Sequence, residues 1–317
     1  MTALTFLAAA GVWAASPPGE AIQTREAPAR AMSNELAAIE SVVRGFRGRM
    51  GVAAIDLRSR ETIAIDADTR FPTASTIKTA VMIEAWQQAS DGRLPMDTPI
   101  ALKASDKVGG SGILQRMHDG LALTVADLVH LMIVLSDNTA TNMLIERIGT
   151  ARVNATLESY GLRYTKLFRP TFRDGRADVL PELEREYGLG MTTPREMAKL
   201  MAIIADGKAV NRQSSDAMIA TLRRQQDRAM IPRSLPPLDG LQIGNKTGTD
   251  EEKIAAPNGT KRHVRADAAI VTAPNVAYTI AIYAREVDDT RWGIENDALV
   301  TGARVSRMVF DYFKKNR

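Results

Sequence analysis

Three short polar clusters carry residue types that could do chemistry. Ser75-Thr76-Ile77-Lys78 sets a hydroxyl three residues before an amine, a spacing that puts both on one face of a helix. At a helix start the hydroxyl and its backbone N–H sit at the positive end of the dipole, about half an elementary charge, which favours a developing oxyanion. The pair is then a nucleophile with a base one turn along. For Lys78 to accept a proton near neutrality its pKa must fall by about 3 units, costing about 4 kcal/mol, which burial and a neighbouring cation can impose. The second cluster, Ser136-Asp137-Asn138, closes an apolar run. The third, Lys246-Thr247-Gly248-Thr249, ends a β-rich run, where glycine lets backbone approach a ligand. Taken singly, each has a plain alternative: Ser-x-x-Lys occurs by accident on surface helices, Ser-Asp-Asn is ordinary cap or turn chemistry, and Lys-Thr-Gly is a strand end.

The elements that must position these clusters are legible as periodicities. From Ser33, the apolar positions Leu36, Ile39, Val43 and Phe46 keep helical spacing. Gly51 to Leu57 and Glu61 to Asp66 flank the polar turn Arg58-Ser59-Arg60 and predict an antiparallel hairpin. The middle of the chain is helical: Ser75 to Gln88, Thr124 to Leu135 with Thr124 and Asp127 in capping-box spacing, and Thr139 to Ile148. Thr193-Pro194-Arg195-Glu196 is a helix start, and Gly207 closes that helix. Strands return at Gln242 to Thr249, Asp267 to Thr272 and Tyr278 to Ala284, and Ala298 to Phe313 is an amphipathic helix. The late strands must find the early ones if one sheet is to form. The expected class is therefore mixed α/β of the α+β kind: an antiparallel sheet built from residues 33–70 and 226–317 and flanked by the terminal helices, with an all-helical domain over 71–225 inserted between. A cleft at the junction is the natural site.

Composition narrows the chemistry. The chain has 317 residues, 45% hydrophobic and 25% charged, which excludes disorder and low complexity. It has no Cys, so thiol nucleophiles, thiolate zinc sites and disulfides are out. Its three His residues, His118, His130 and His263, are far apart in sequence, which disfavours a histidine-based site. The charge of +4 is spread along the length. The small groups Lys261, Arg262, Arg265 and Lys314, Lys315, Arg317 read as solvated loop and tail rather than as a nucleic-acid stripe.

Ser-x-x-Lys, then Ser-Asp-Asn, then Lys-Thr-Gly, in this order and in these element contexts, resembles the motif set of class A β-lactamases and penicillin-binding proteins. The intervals, 61 residues from Ser75 to Ser136 and 110 from Ser136 to Lys246, suit class A better than the larger transpeptidases. The resemblance covers residues 33 to 317 and implies an inserted helical domain like the one above. It implies that Ser75 attacks the β-lactam carbonyl, with its own N–H and that of Thr249 forming the oxyanion hole. Lys78 would take the Ser75 proton and Ser136 would relay one to the departing nitrogen. Lys246 would hold down the Lys78 pKa and attract the substrate carboxylate, which Thr247 and Thr249 bind beside Gly248. Asn138 would bind the acylamide side chain, and Arg265 stands about where several members place a carboxylate-binding arginine.

The resemblance breaks in the loop that should carry the water-activating Glu. The family's Glu-x-x-Leu-Asn pattern is missing between Leu167 and Pro194. Aligning forward from Leu167 puts Thr171 at that place, and aligning on Pro181 puts Leu180 there. Of the acids in the loop, Glu182 or Glu184 is the expected substitute. The segment Val108 to Leu114 also lacks the aromatic residue the family places at the cleft rim.

Residues 1–15 read as an export signal, an apolar run too short to span a bilayer and followed by small residues, with 16–32 as a flexible tether. The expectation is an exported serine hydrolase, periplasmic or secreted, monomeric, without metal or organic cofactor, without a nucleic-acid partner or a stable membrane span. Its partner would be a small β-lactam or a peptidoglycan peptide. A D-Ala-D-Ala carboxypeptidase or esterase, or a penicillin-binding sensor without turnover, would use the same residues.

Overall fold

A computed structural model describes residues 34–316; the segments 1–15 and 16–32 lie outside the described residues. Five antiparallel strands form the main sheet: β1 (Arg49–Asp56), β2 (Thr62–Ile65), β3 (Gln242–Glu251), β4 (His263–Ala273) and β5 (Val276–Val287). Their order is β2-β1-β5-β4-β3. The closing contact pairs β1 with β5, Val52 opposite Ile282 and Ala54 opposite Ile280, so the two halves of the chain meet inside one sheet.

Both faces of that sheet are buried, and side chains alternate between two cores. On β4, Ala269 and Val271 face a core shared with α1 (Asn34–Arg44) and α9 (Asp297–Lys315), which contributes Val305, Val309, Phe310 and Phe313. Ala266, Ala268 and Ile270 face the other core, which continues without a break into the helices of the middle segment. The helix α7 (Pro194–Ala205) comes from that middle segment yet lies on the sheet, packed against β5, β1 and β4. Small residues at Ala53, Ala268 and Ala281 let it approach closely, and the Thr279 hydroxyl donates to the Ala198 carbonyl at 2.9 Å. The Thr193 hydroxyl caps α7 by accepting from Glu196 N. The Glu196 carboxylate does not complete a capping box: it accepts instead from the backbone N–H groups of Arg163 and Tyr164 and from the Thr165 hydroxyl.

The middle segment packs α2 (Lys78–Ser90) among α3 (Val125–Val134), α4 (Asn138–Ile148) and α5 (Thr150–Ser159), with α8 (Arg212–Leu222) against α7 and β3. The first eight residues of α2 are all buried, as in a helix enclosed on every side. The segment 168–193 adds the short helix α6 (Pro181–Tyr187). Among the described residues no helix is long and apolar enough to cross a membrane.

Candidate active site

Ser75 lies not on the α-helix itself but in a tight 3₁₀ turn, Ala74–Ile77, that runs straight into α2. Ala74 enters it at φ +42°, a left-handed conformation imposed from both sides. The Thr73 N–H donates to Gly190 O at 2.8 Å, and the Thr76 hydroxyl lies 2.7 Å from both Thr73 O and Tyr283 Oη of β5. In such a turn residues three apart eclipse, so Ser75 and Lys78 share one side. Ser75 is half-buried and Lys78 wholly buried.

Ser136, at φ +54°, turns the chain from α3 into α4 and brings its cluster onto Lys78. Lys78 Nζ lies within hydrogen-bond reach of Ser136 O at 2.7 Å, Ser136 Oγ at 3.1 Å and Asn138 Oδ1 at 2.7 Å. Asp137 locks the turn: Oδ1 caps α4 at Ala140 N, while Oδ2 accepts from Ile113 N at 2.7 Å and Leu114 N at 2.9 Å. Gly112 has to be glycine there, since a Cβ would sit 2.2 Å from Asp137 Cγ at φ +105°. Asn138 uses its amide nitrogen on Gly109 O at 3.1 Å. The cap reading and the site reading of Ser-Asp-Asn therefore hold together, Asp137 doing the first and its neighbours facing the cleft.

Lys246 arrives from β3, the edge strand. Its Nζ donates to Ser136 Oγ at 3.1 Å and Thr247 O at 2.8 Å. Gly248 allows this approach: a Cβ would stand 2.8 Å from Thr73 O and 3.2 Å from Ser75 N. Burial, reinforced by the Lys246 charge and opposed by Asp137, holds the Lys78 amine well below its usual range. Burial also pulls Lys246 down to about 8, against Asp227 and Asp267, which favour its charge. Two cavities open here. One of about 460 Å³ is lined by Ser75, Asn138, Thr171, Phe172, Thr249 and Trp292; one of about 280 Å³ by Ser75, Ser111, Ser136, Asp227, Thr247 and Thr249.

The two acids expected to activate water stand elsewhere. Glu182 is exposed in the first turn of α6 and lines neither cavity. Glu184 is buried beneath the loop, its Oε1 accepting from Arg169 Nε at 2.7 Å and Gly175 N at 3.1 Å. Arg169 also donates to Pro170 O and Asp174. The carboxylate of Glu184 is committed to an ion pair that shapes the loop. Arg265 likewise departs from expectation. It is inside β4 opposite Thr249, 1% exposed, and its guanidinium donates to Val264 O and Arg291 O and contacts His263 Nδ1, so that it stands beside the cavities without lining either.

At the loop's cleft edge stands Thr171, clamped to α4. Its N–H donates to Asn142 Oδ1 at 2.8 Å, its hydroxyl to the same oxygen at 2.9 Å, and Asn142 Nδ2 returns a bond to Thr171 O at 3.1 Å. Asn142 was not singled out from sequence; its place four residues after Asn138, on the same helix face, was the available signal. Ser111 was missed too. Its hydroxyl donates to Ser136 O at 2.7 Å, the carbonyl that Lys78 uses, and only the glycine-rich surroundings hinted at it. The carboxylates on the larger cavity are Asp174, Asp250 and Glu251. Burial pushes Asp174 up, but Lys253 and Arg169 outweigh it and hold the carboxyl below its usual range. Among the described residues no group of three or more His, Asp or Glu could hold a metal ion.

Comparison with known proteins identifies the family. The model described as beta-lactamase enzyme family matches residues 33–313. Beta-lactamase L2 of Stenotrophomonas maltophilia is 36% identical over 161 residues, half of this chain and half the length of that relative. The crystal structure of a beta-lactamase from Sphaerobacter thermophilus superposes with a TM-score of 0.74 at 31% identity, covering 89% of this chain and 97% of the other. A leucine-to-glutamate variant of PBP-A, solved as an acyl-enzyme complex with penicillin G, superposes with a TM-score of 0.73 at 27% identity, covering 89% and 97%. A family match over nearly all the described residues, on a fold shared with these structures, makes this chain a member of the beta-lactamase enzyme family, a mixed α/β serine hydrolase of β-lactamase-like function at the level the family shares.

Proposed function

We propose that the protein opens β-lactam rings through an acyl-Ser75 intermediate and releases the product slowly. The observation that carries this is the meeting of both buried amines on one hydroxyl: Ser136 Oγ is 3.1 Å from Lys78 Nζ and 3.1 Å from Lys246 Nζ, beside two cavities that share Ser75. Neutral Lys78 takes the Ser75 proton as Oγ bonds to the ring carbonyl carbon. The carbonyl oxygen gains charge against the N–H groups of Ser75 and Thr249, a donor pair of which each member is worth about 3 kcal/mol. The ring C–N bond then breaks, and its electrons take a proton from Ser136 Oγ, which Lys78 replaces. Charged Lys246, with the Thr247 and Thr249 hydroxyls, holds the substrate carboxylate, and Asn138 the acylamide.

Release needs a base for water, and the loop offers the Thr171 hydroxyl where the family uses a carboxylate. Asp174 lies between Arg169 and Lys253, with Lys253 Nζ at 3.2 Å, which makes it a weak proton acceptor. The adduct should therefore persist. This same observation supports the second reading, a penicillin-binding or peptidoglycan-peptide enzyme whose lactam adduct scarcely turns over. Intact-mass spectrometry over time after adding a penicillin tests both: an adduct lost in Ser75→Ala is required, slow decay supports the hydrolase, and absence of adduct and turnover together refutes the proposal. We further infer that this chemistry runs outside the cytoplasm, as a monomer, behind the export signal of residues 1–15; fractionation and light scattering check these points.

A further inference from the structure

Three residues line both cavities: Ser75, Thr249 and Ser111. Ser75 and Thr249 are the nucleophile and an oxyanion donor of the reading above. Ser111 belongs to none of the three motifs, yet it stands at the same junction. It grips the Ser136-Asp137-Asn138 turn at both ends: its carbonyl accepts from Asn138 N at 3.1 Å, and its hydroxyl donates to Ser136 O at 2.7 Å. Gly110 before it lets the 108–114 segment lie this close, since a Cβ there would sit 2.6 Å from Asn138 Nδ2. The Ser136 carbonyl is therefore shared, with Ser111 Oγ and Lys78 Nζ each 2.7 Å away. That sharing bears on the proton of Lys78, which must be neutral to take a proton from Ser75. An ammonium gains more from a carbonyl acceptor than an amine does. A hydroxyl that donates to the same carbonyl weakens that gain and so disfavours the charged form.

We propose that Ser111 is a positioning residue for acylation, its hydroxyl occupying the Ser136 carbonyl so that this carbonyl does not hold Lys78 as an ammonium unable to act as a base. The proposal rests on the acyl-Ser75 reading above. Among the described residues, the charged groups acting on Lys78 are Lys246 on β3 and Asp137 in the turn between α3 and α4, and an uncharged hydroxyl can be removed without altering either charge. The test follows the second-order acylation rate with benzylpenicillin by intact-mass spectrometry from pH 5 to 7, below the value of about 8 at which Lys246 loses its charge. In Ser111→Ala the acid limb of the profile should move up by about one pH unit, a loss of about tenfold at the acid end that shrinks toward pH 7. Ser111→Thr, which keeps the hydroxyl, should restore the wild-type profile. A loss of equal size at every pH would show Ser111 serving only as scaffold for the 136–138 turn and overturn the proposal, as would an unchanged profile. Wild type that forms no adduct removes the acyl-Ser75 reading and this role with it.

Discussion

Glu184→Gln separates a structural carboxylate from a catalytic one. Arg169 is 2% exposed and Glu184 4%, with Nε and Oε1 2.7 Å apart. Removing one charge of a buried pair costs about 3–5 kcal/mol, because the surviving ion has lost its water and now lacks its partner. Arg169 would keep Asp174 and the Pro170 carbonyl, and glutamine keeps an acceptor for Gly175 N. The low end, about 3 kcal/mol, therefore applies. With an unfolding entropy of about 2.1 cal/mol/K per residue, a chain of this size loses about 5 °C in Tm. Thermal unfolding by circular dichroism and the mass-spectrometric decay of acyl-Ser75 are measured on the same preparation. The expected result is a lower Tm with an adduct that still forms and decays at a rate far closer to wild type than the 100-fold or greater loss of a general base. An unchanged Tm with decay slowed about 100-fold would show Glu184 acting on water and refute its structural assignment.

Three further outcomes follow from the same geometry. Thr171→Glu sets a carboxylate on the Ser75 cavity, so the adduct should decay at least tenfold faster in the same time course; an unaltered lifetime would mean that release is limited elsewhere. Gly248→Ala pushes β3 away from Thr73 O and Ser75 N, so acylation should fall about 100-fold while the Tm moves little; unchanged acylation would deny that the two walls must touch. Stability should follow two buried groups in opposite senses, read by urea unfolding at fixed pH values. Burial raises Asp267 to about 7 from 3.8, so the folded state holds the extra proton and stability falls as pH rises between those values. Lys246 at about 8 instead of 10.5 leaves the extra proton on the unfolded chain, so stability rises across that window. Asp267→Asn should accordingly gain on wild type between pH 4 and 7, and a flat difference would contradict the assigned burial penalty.

Much of this molecule is written locally. The caps at Thr124 and Thr193, the hairpin of β1 and β2, and the amphipathic α9 depend on periodicity and on residues within a few positions of one another, so the sequence alone sufficed for them. The motif order likewise named Ser75, Lys78, Ser136 and Lys246 before any coordinates. What lay beyond it was set by long-range partners. Glu182 and Glu184 differ by two positions and look alike in sequence, yet one faces water and the other Arg169, because α6 turns one side of itself inward. Arg265, expected beside the substrate carboxylate, is buried opposite Thr249 with its guanidinium 5.1 Å from the ring of Trp292, 27 residues later in the chain, a contact the sequence did not announce. The Ser75 turn is 3₁₀ rather than α because Gly190 and Tyr283, both distant in sequence, hold Thr73 and Thr76. Which chemical types the site could draw on, a hydroxyl with two amines in a set order, was the sequence's own information, since types and order are intrinsic to the chain. Which carboxylates and rings face the cavity was decided only by folding, because burial and ion pairing are properties of neighbours that the linear order does not list.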